Sequence, residues 1–178
     1  ACKAGGNAGV KVHQVVVPAN ALVARFSLFD VDTSGYKAGE HDDLDLVVLN
    51  GAGSLVGSSG GATSSEAVTL SQPAAGDYKV CVVGYKPYGG SSDYTLSTWT
   101  VAKDETAGNF KASLPPMVFT GATATVAASW SGLGSAKHLG AVQITAPGGA
   151  VATTLLEVDT TVPVPEPSVE RTVVNRRD

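Results

Sequence analysis

Apolar residues recur at every second position along most of this chain, the period of a half-buried β-strand. In VKVHQVVV, Val10, Val12 and Gln14 share one face and Lys11, His13 and Val15 the other, before a turn at Pro18-Ala19-Asn20. In LVARFSLFDV, the set Leu22, Ala24, Phe26 and Leu28 is the cleaner apolar face and is expected in the core. Leu44, Leu46 and Val48 repeat the pattern in LDLVVLN. Asn50-Gly51-Ala52-Gly53 then predicts a hairpin turn into a return strand from Ser54. Ala67 to Leu70 read as a short strand and Pro73 to Asp77 as a turn. YKVCVVGY puts Tyr78, Val80 and Val82 on one side, Lys79, Cys81 and Val83 on the other. If the Tyr/Val side is the core, Cys81 faces outward, where a segment carrying Cys2 can reach it. A loop, KPYGGSS, leads to the strand DYTLSTWTV.

The texture changes after residue 101. AKDETAG, residues 102–108, reads as a junction, followed by the strand-like runs FKASL, ATATVAASW, HLGAVQIT and VATTLLEV. Pro115-Pro116, Gly132/Gly134 and Pro147-Gly148-Gly149 break them. Four strands fall short of a complete seven-stranded sandwich, so a reduced one is expected, docked on the first unit or borrowing a strand from it. From Thr161 the chain is marked by Pro163, Pro165 and Pro167, which favour an extended tail or linker. The expected organisation is a β-sandwich over 1–101, a small β module over 102–160 and a Pro-rich segment over 161–178. The fold class is all-β, and 21 Gly and 9 Pro suit many short strands.

The order DLDLVVLNGAGSLVGSS, LSQPAAGDYKVCVVGY, SSDYTLSTWTV resembles the bacterial pre-peptidase C-terminal domain, over about residues 10–101. ASWSGLGSAKHLGAVQIT resembles the last strands of a fibronectin type III-like module, through W-x-G-L and H-L-G-A-V. The first resemblance implies a small secreted sandwich of jelly-roll type that follows the catalytic domain of an extracellular protease. The second tilts that parent to a subtilisin-like serine peptidase. Together they imply a non-catalytic accessory region that holds a fibrous, collagen-like protein substrate for a catalytic domain in cis, or that stabilises that domain. TSGYKAGEHDD and the cysteine pair depart from the plainest form of the pattern.

Carboxylates crowd the stretch between the second and third strands. Asp30, Asp32, Glu40, Asp42, Asp43 and Asp45 lie close together with His41 among them, and like charges so placed need a cation, a basic partner or water. Counted from Asp30, DVDTSG supplies oxygens at positions 1, 3 and 5 and glycine at 6 of a calcium loop. The pattern then fails: Glu40 comes one place early, His41 stands at position 12 and Lys37 at position 8. An EF-hand is excluded. A calcium site of another geometry, or a solvated crossover, both remain open.

Other chemistry is sparse. Charged residues are 16% of the chain and the net charge is −4, without a basic stripe, which argues against a nucleic-acid partner. No run of about 18 apolar residues suits a membrane-spanning helix. Cys2 and Cys81, the only cysteines, suggest one disulfide and an oxidising, extracellular compartment. Two unrelated thiols are the alternative. ACKAGG has neither region of a signal peptide, so secretion expects that peptide upstream or removed. His13, His41 and His138 accompany no G-x-S-x-G or other nucleophile motif, so the chain is expected to be non-catalytic, with His13 a strand-face residue. Tyr85 and Tyr88, flanking Lys86-Pro87, are the best candidates for an exposed binding surface, whereas strand phase expects Tyr78, Tyr94 and Trp130 to be buried or half-buried.

Overall fold

Alternation becomes structure where each strand finds cover for its apolar face. A computed structural model describes residues 1–104, 109–115, 117–119 and 121–162. Residues 105–108 of the expected junction, Pro116 of the Pro-Pro break and the Pro-rich stretch from Pro163 lie outside the described residues.

Seven strands make the first unit: β1 (Val10–Val17), β2 (Ala21–Ser27), β3 (Asp43–Asn50), β4 (Leu55–Ser59), β5 (Ala67–Ser71), β6 (Gly76–Lys86) and β7 (Ser97–Ala102). They form two sheets, β1-β6-β3-β4 and β5-β2-β7, with antiparallel pairing throughout. The sheets close face to face as a sandwich over one core. Ala24, Phe26 and Leu28 meet Leu44, Leu46 and Val48 of β3 and Tyr78, Val80 and Val82 of β6. Burying a side chain such as Phe26 contributes about 1.5–3 kcal/mol.

Leu22 departs from the expected phase. A bulge between Ala21 and Val23 puts Ala21 into the core cluster, and Leu22 is buried without joining it. The run expected to continue through Val31 stops at Ser27. Asp30–Asp32 is a 3-10 turn and Ser34–Lys37 a single helical turn, whose N-cap Thr33 accepts the Tyr36 amide. DYTLSTWTV shortens likewise to Ser97–Ala102, while Tyr94 and Leu96 pack against the core. The Asn-Gly turn forms, but Gly53 supplies its positive φ of 75°. The Asn50 side chain takes the Ser54 amide at 2.9 Å.

The remaining strands form two ribbons, β8 (Phe110–Ser113) with β9 (Ala127–Trp130) and β10 (Lys137–Ala146) with β11 (Gly149–Asp159). A two-stranded ribbon is marginal alone in water, and β10–β11 is anchored to the first unit. Lys137 Nζ lies 2.9 Å from Asp32 Oδ2, 3.8 Å from Asp159 Oδ2 and 4.8 Å above the Phe29 ring centre. Arg25 pairs with Glu157 at 3.5 Å, and Trp99 Nε1 donates to the Lys137 carbonyl at 3.0 Å. Among the described residues no helix is long and apolar enough to cross a membrane.

Candidate functional site

The six acids do not converge: Asp30, Asp32 and Asp42 are turned to different neighbours, Glu40 is exposed, and Asp43 and Asp45 share the outer face of β3. Asp30 accepts from the Ser64 amide at 2.7 Å and the Ser65 hydroxyl at 2.8 Å, tying the 3-10 turn to the loop before β5. Asp32 faces Lys137. Glu40 and His41 are exposed. Asp43 and Asp45 project from the outer face of β3, since Leu44 and Leu46 take the inner one. Burial first, then the charges of Asp43 and Glu66, push the Asp45 carboxyl up, against a hydrogen bond from the Gly61 amide. Among the described residues no group of three or more His, Cys, Asp or Glu side chains is arranged to hold a metal ion.

Asp42 stands apart. It is 2% exposed, and its two oxygens bind three donors: the Tyr88 amide on Oδ1, and the Gly35 amide and Ser92 hydroxyl on Oδ2, each at 2.7 Å. Burial pushes this carboxyl up, but hydrogen bonding, foremost from Ser92, Tyr88 and Gly35, outweighs it and holds it below the ordinary range. A Cβ on Gly35 would come within 2.5 Å of Asp42 Oδ2, so only glycine allows this approach. The Ser34 amide and Asp93 carbonyl (2.9 Å), and the Asp93 amide and Ser34 hydroxyl (3.0 Å), stitch the same two loops together.

Tyr36 and Tyr88 stand on these stitched turns, and Tyr85 at the end of β6 just before them. Tyr85 is 74% exposed and Tyr88 51%, with Tyr36 47% exposed on the facing helical turn. Gly84 and Pro87, the chain neighbours of Tyr85 and Tyr88, line a groove of about 640 Å³. Buried Leu44 and Val82 line it too, together with Asn7, Lys11, Ser92 and Tyr94. Nothing in sequence spacing ties the turn carrying Tyr36 to the one carrying Tyr88. The shared carboxylate does.

Cys2 and Cys81 form a disulfide with Cα atoms 5.8 Å apart. Cys81 lies on the outer face of β6, opposite the Tyr78/Val80/Val82 face, and is completely buried beneath the N-terminal segment. Lys79 Nζ adds a bond to the Lys3 carbonyl at 3.1 Å.

The histidines are apart from one another. His13 Nε2 lies 2.9 Å from the Tyr94 hydroxyl, and burial, then Lys11, lowers its pKa. His138 Nε2 contacts the Gly134 carbonyl at 2.9 Å. Tyr78 is buried and Tyr94 half-buried as expected, but Trp130 is 46% exposed. It borders a cavity of about 300 Å³ with Trp99, Phe110, Leu139 and Leu156. Two ribbons cannot close over an indole from both sides, so this second core stays partly open. No protein-family model and no curated protein matches the chain.

Proposed function

We propose that this chain is a non-catalytic accessory region of a secreted, subtilisin-like serine peptidase, helping to hold an extended, collagen-like protein substrate for a catalytic domain in cis. On this reading residues 1–101 are a pre-peptidase C-terminal-like unit of jelly-roll type, and 102–160 a reduced fibronectin III-like module. The observation that carries it is the pair Tyr85 and Tyr88, both exposed beside the groove, Tyr85 at the end of β6 and Tyr88 on a loop whose amide is held by a buried carboxylate. Tyrosine offers large amphipathic contact area with little entropy to lose, and a locked loop lowers the cost of ordering on binding. The disulfide suits an oxidising, extracellular compartment.

The test is retention of the protein and of its Tyr85→Ala/Tyr88→Ala double variant on insoluble collagen, elastin, chitin and casein. Retention on collagen that the double variant loses supports the reading. Retention on none of the four overturns it and leaves a stabilising role for the neighbouring domain.

A further inference from the structure

The sandwich has four edge strands: β1 and β4 in one sheet, β5 and β7 in the other. Three are short, with five residues in β4 and β5 and six in β7. β1 has eight, and its register with β6 runs without a shift from Val10 to Val17. Natural edges are usually blunted by proline, charge, a bulge or brevity. From Val12 to Val17 β1 has no proline, lysine, arginine, aspartate, glutamate or bulge.

The direction of its backbone groups follows from the ladder. Gly9 O accepts from Gly84 N at 2.9 Å on the β6 side, whereas Val10 exchanges both its backbone bonds with Asn7 on the other side. With a period of two, Lys11, His13, Val15 and Val17 bond toward β6, and Val12, Gln14 and Val16 point their N–H and C=O groups off the edge. The N-terminal arm pairs with only the first outward position, although Gly6 also packs beside the Val12 side chain. Among the described residues nothing else pairs with this edge. Gln14 is exposed and Val16 is 69% exposed, so neither side chain folds over it. The tyrosine-flanked groove begins at Val10 and Lys11, at the head of the same strand.

A row of alternating donors and acceptors at strand spacing states what covers it, because only another extended backbone presents the matching row. We infer that the free edge of β1 takes an extended polypeptide as an added strand, bound mainly through its backbone at Val12, Gln14 and Val16. This deepens the substrate-holding reading and rests on it. It names the recognised partner as unfolded or locally extended polypeptide, read mainly through its backbone. Val12 and Val16 flank the exposed Gln14 and favour β-branched or small residues opposite them.

The test measures binding of the intact chain to reduced, carboxymethylated lysozyme, which is unfolded, and to native lysozyme. Two variants block the edge while sparing the ladder. Val16→Lys puts a charge on it, and Gln14→Pro removes an N–H that β6 does not use. The inference expects binding to the unfolded form only, weakened about tenfold or more in both variants, with melting temperatures near that of the parent. Equal binding of native and unfolded lysozyme overturns it, as does unchanged binding in Val16→Lys. If the chain binds neither form the edge inference falls, whatever happens on collagen. If only Tyr85→Ala/Tyr88→Ala loses binding, the edge inference falls and the substrate-holding reading stands. A dimer that Val16→Lys dissociates, with no polypeptide binding, assigns the edge to a second copy and overturns the inference.

Discussion

Replacing Asp42 removes the acceptor on which two loops depend. In Asp42→Ala the amides of Gly35 and Tyr88 and the hydroxyl of Ser92 each lose a partner at 2.7 Å, in a place where the carboxylate itself is 2% exposed. A hydrogen bond to a charged group contributes roughly 1.5–3 kcal/mol, and three bonds to one carboxylate are coupled rather than additive. The expected loss is therefore about 3–5 kcal/mol, a large share of the roughly 5–15 kcal/mol by which a domain is stable. Asp42→Asn keeps the shape but offers one oxygen to three donors, and should cost about 1–3 kcal/mol on the same reasoning. Urea melts give the free energies, and amide hydrogen exchange at Gly35 and Tyr88 locates the loss. Acid gives a second signature. A carboxyl held below its unfolded value of 3.8 contributes stability that is present above that pH and lost as pH falls below it. The gap between the protein and Asp42→Asn should therefore narrow below pH 3.8. A cost for Asp42→Ala under about 1 kcal/mol, or unchanged exchange at Tyr88, would refute the claim that this carboxylate sets the loops.

Asp45 should behave with the opposite sign. Its raised carboxyl contributes stability below the unfolded value of 3.8 that is lost as pH rises through the folded value, so Asp45→Asn should be neutral or stabilising in melts at pH 7. Cys2→Ser opens a loop closed by a disulfide of sequence separation 79, and should lower stability by about 3–5 kcal/mol in urea melts at fixed pH. Calorimetric titration of chelator-treated protein with millimolar calcium should give no saturable heat, because Asp30, Asp32 and Asp42 already face protein donors. A saturable heat with a raised melting temperature would show that the acids regroup around the ion.

The all-β fold was legible because period-two alternation is written into β1, β2, β3 and β6. Leu44/Leu46/Val48 and Tyr78/Val80/Val82 face the core in the phase their spacing implies. That same phase put Cys81 on the outer face within reach of Cys2. Leu22 was misplaced because a bulge adds a residue on one side of the ladder without leaving a mark in composition. Phe29 to Val31 look like strand by composition. They turn because the Asp30 carboxylate binds Ser64 and Ser65, more than thirty residues away, and no local propensity encodes that contact.

The acidic stretch shows why charge density alone does not specify chemistry. Six carboxylates in sixteen residues invite one cation, yet the fold distributes the problem. Asp30 and Asp42 bind donors of neighbouring loops, Asp32 meets Lys137, Glu40 stays in water, and β3 carries Asp43 and Asp45 side by side on its outer face. That last pair keeps part of the repulsion the sequence foretold, which adds, with Glu66, to the burial that raises the Asp45 carboxyl. Asp42, surrounded in sequence by other acids, is the one whose burial organises the tyrosine loops. Its role depends on Gly35, whose missing Cβ lets the carboxylate approach and whose amide donates to it, and on the amide of the distant Tyr88. Neither dependence has a spacing that a linear reading could find. The exposed tyrosines were found by composition; what holds them in place was not.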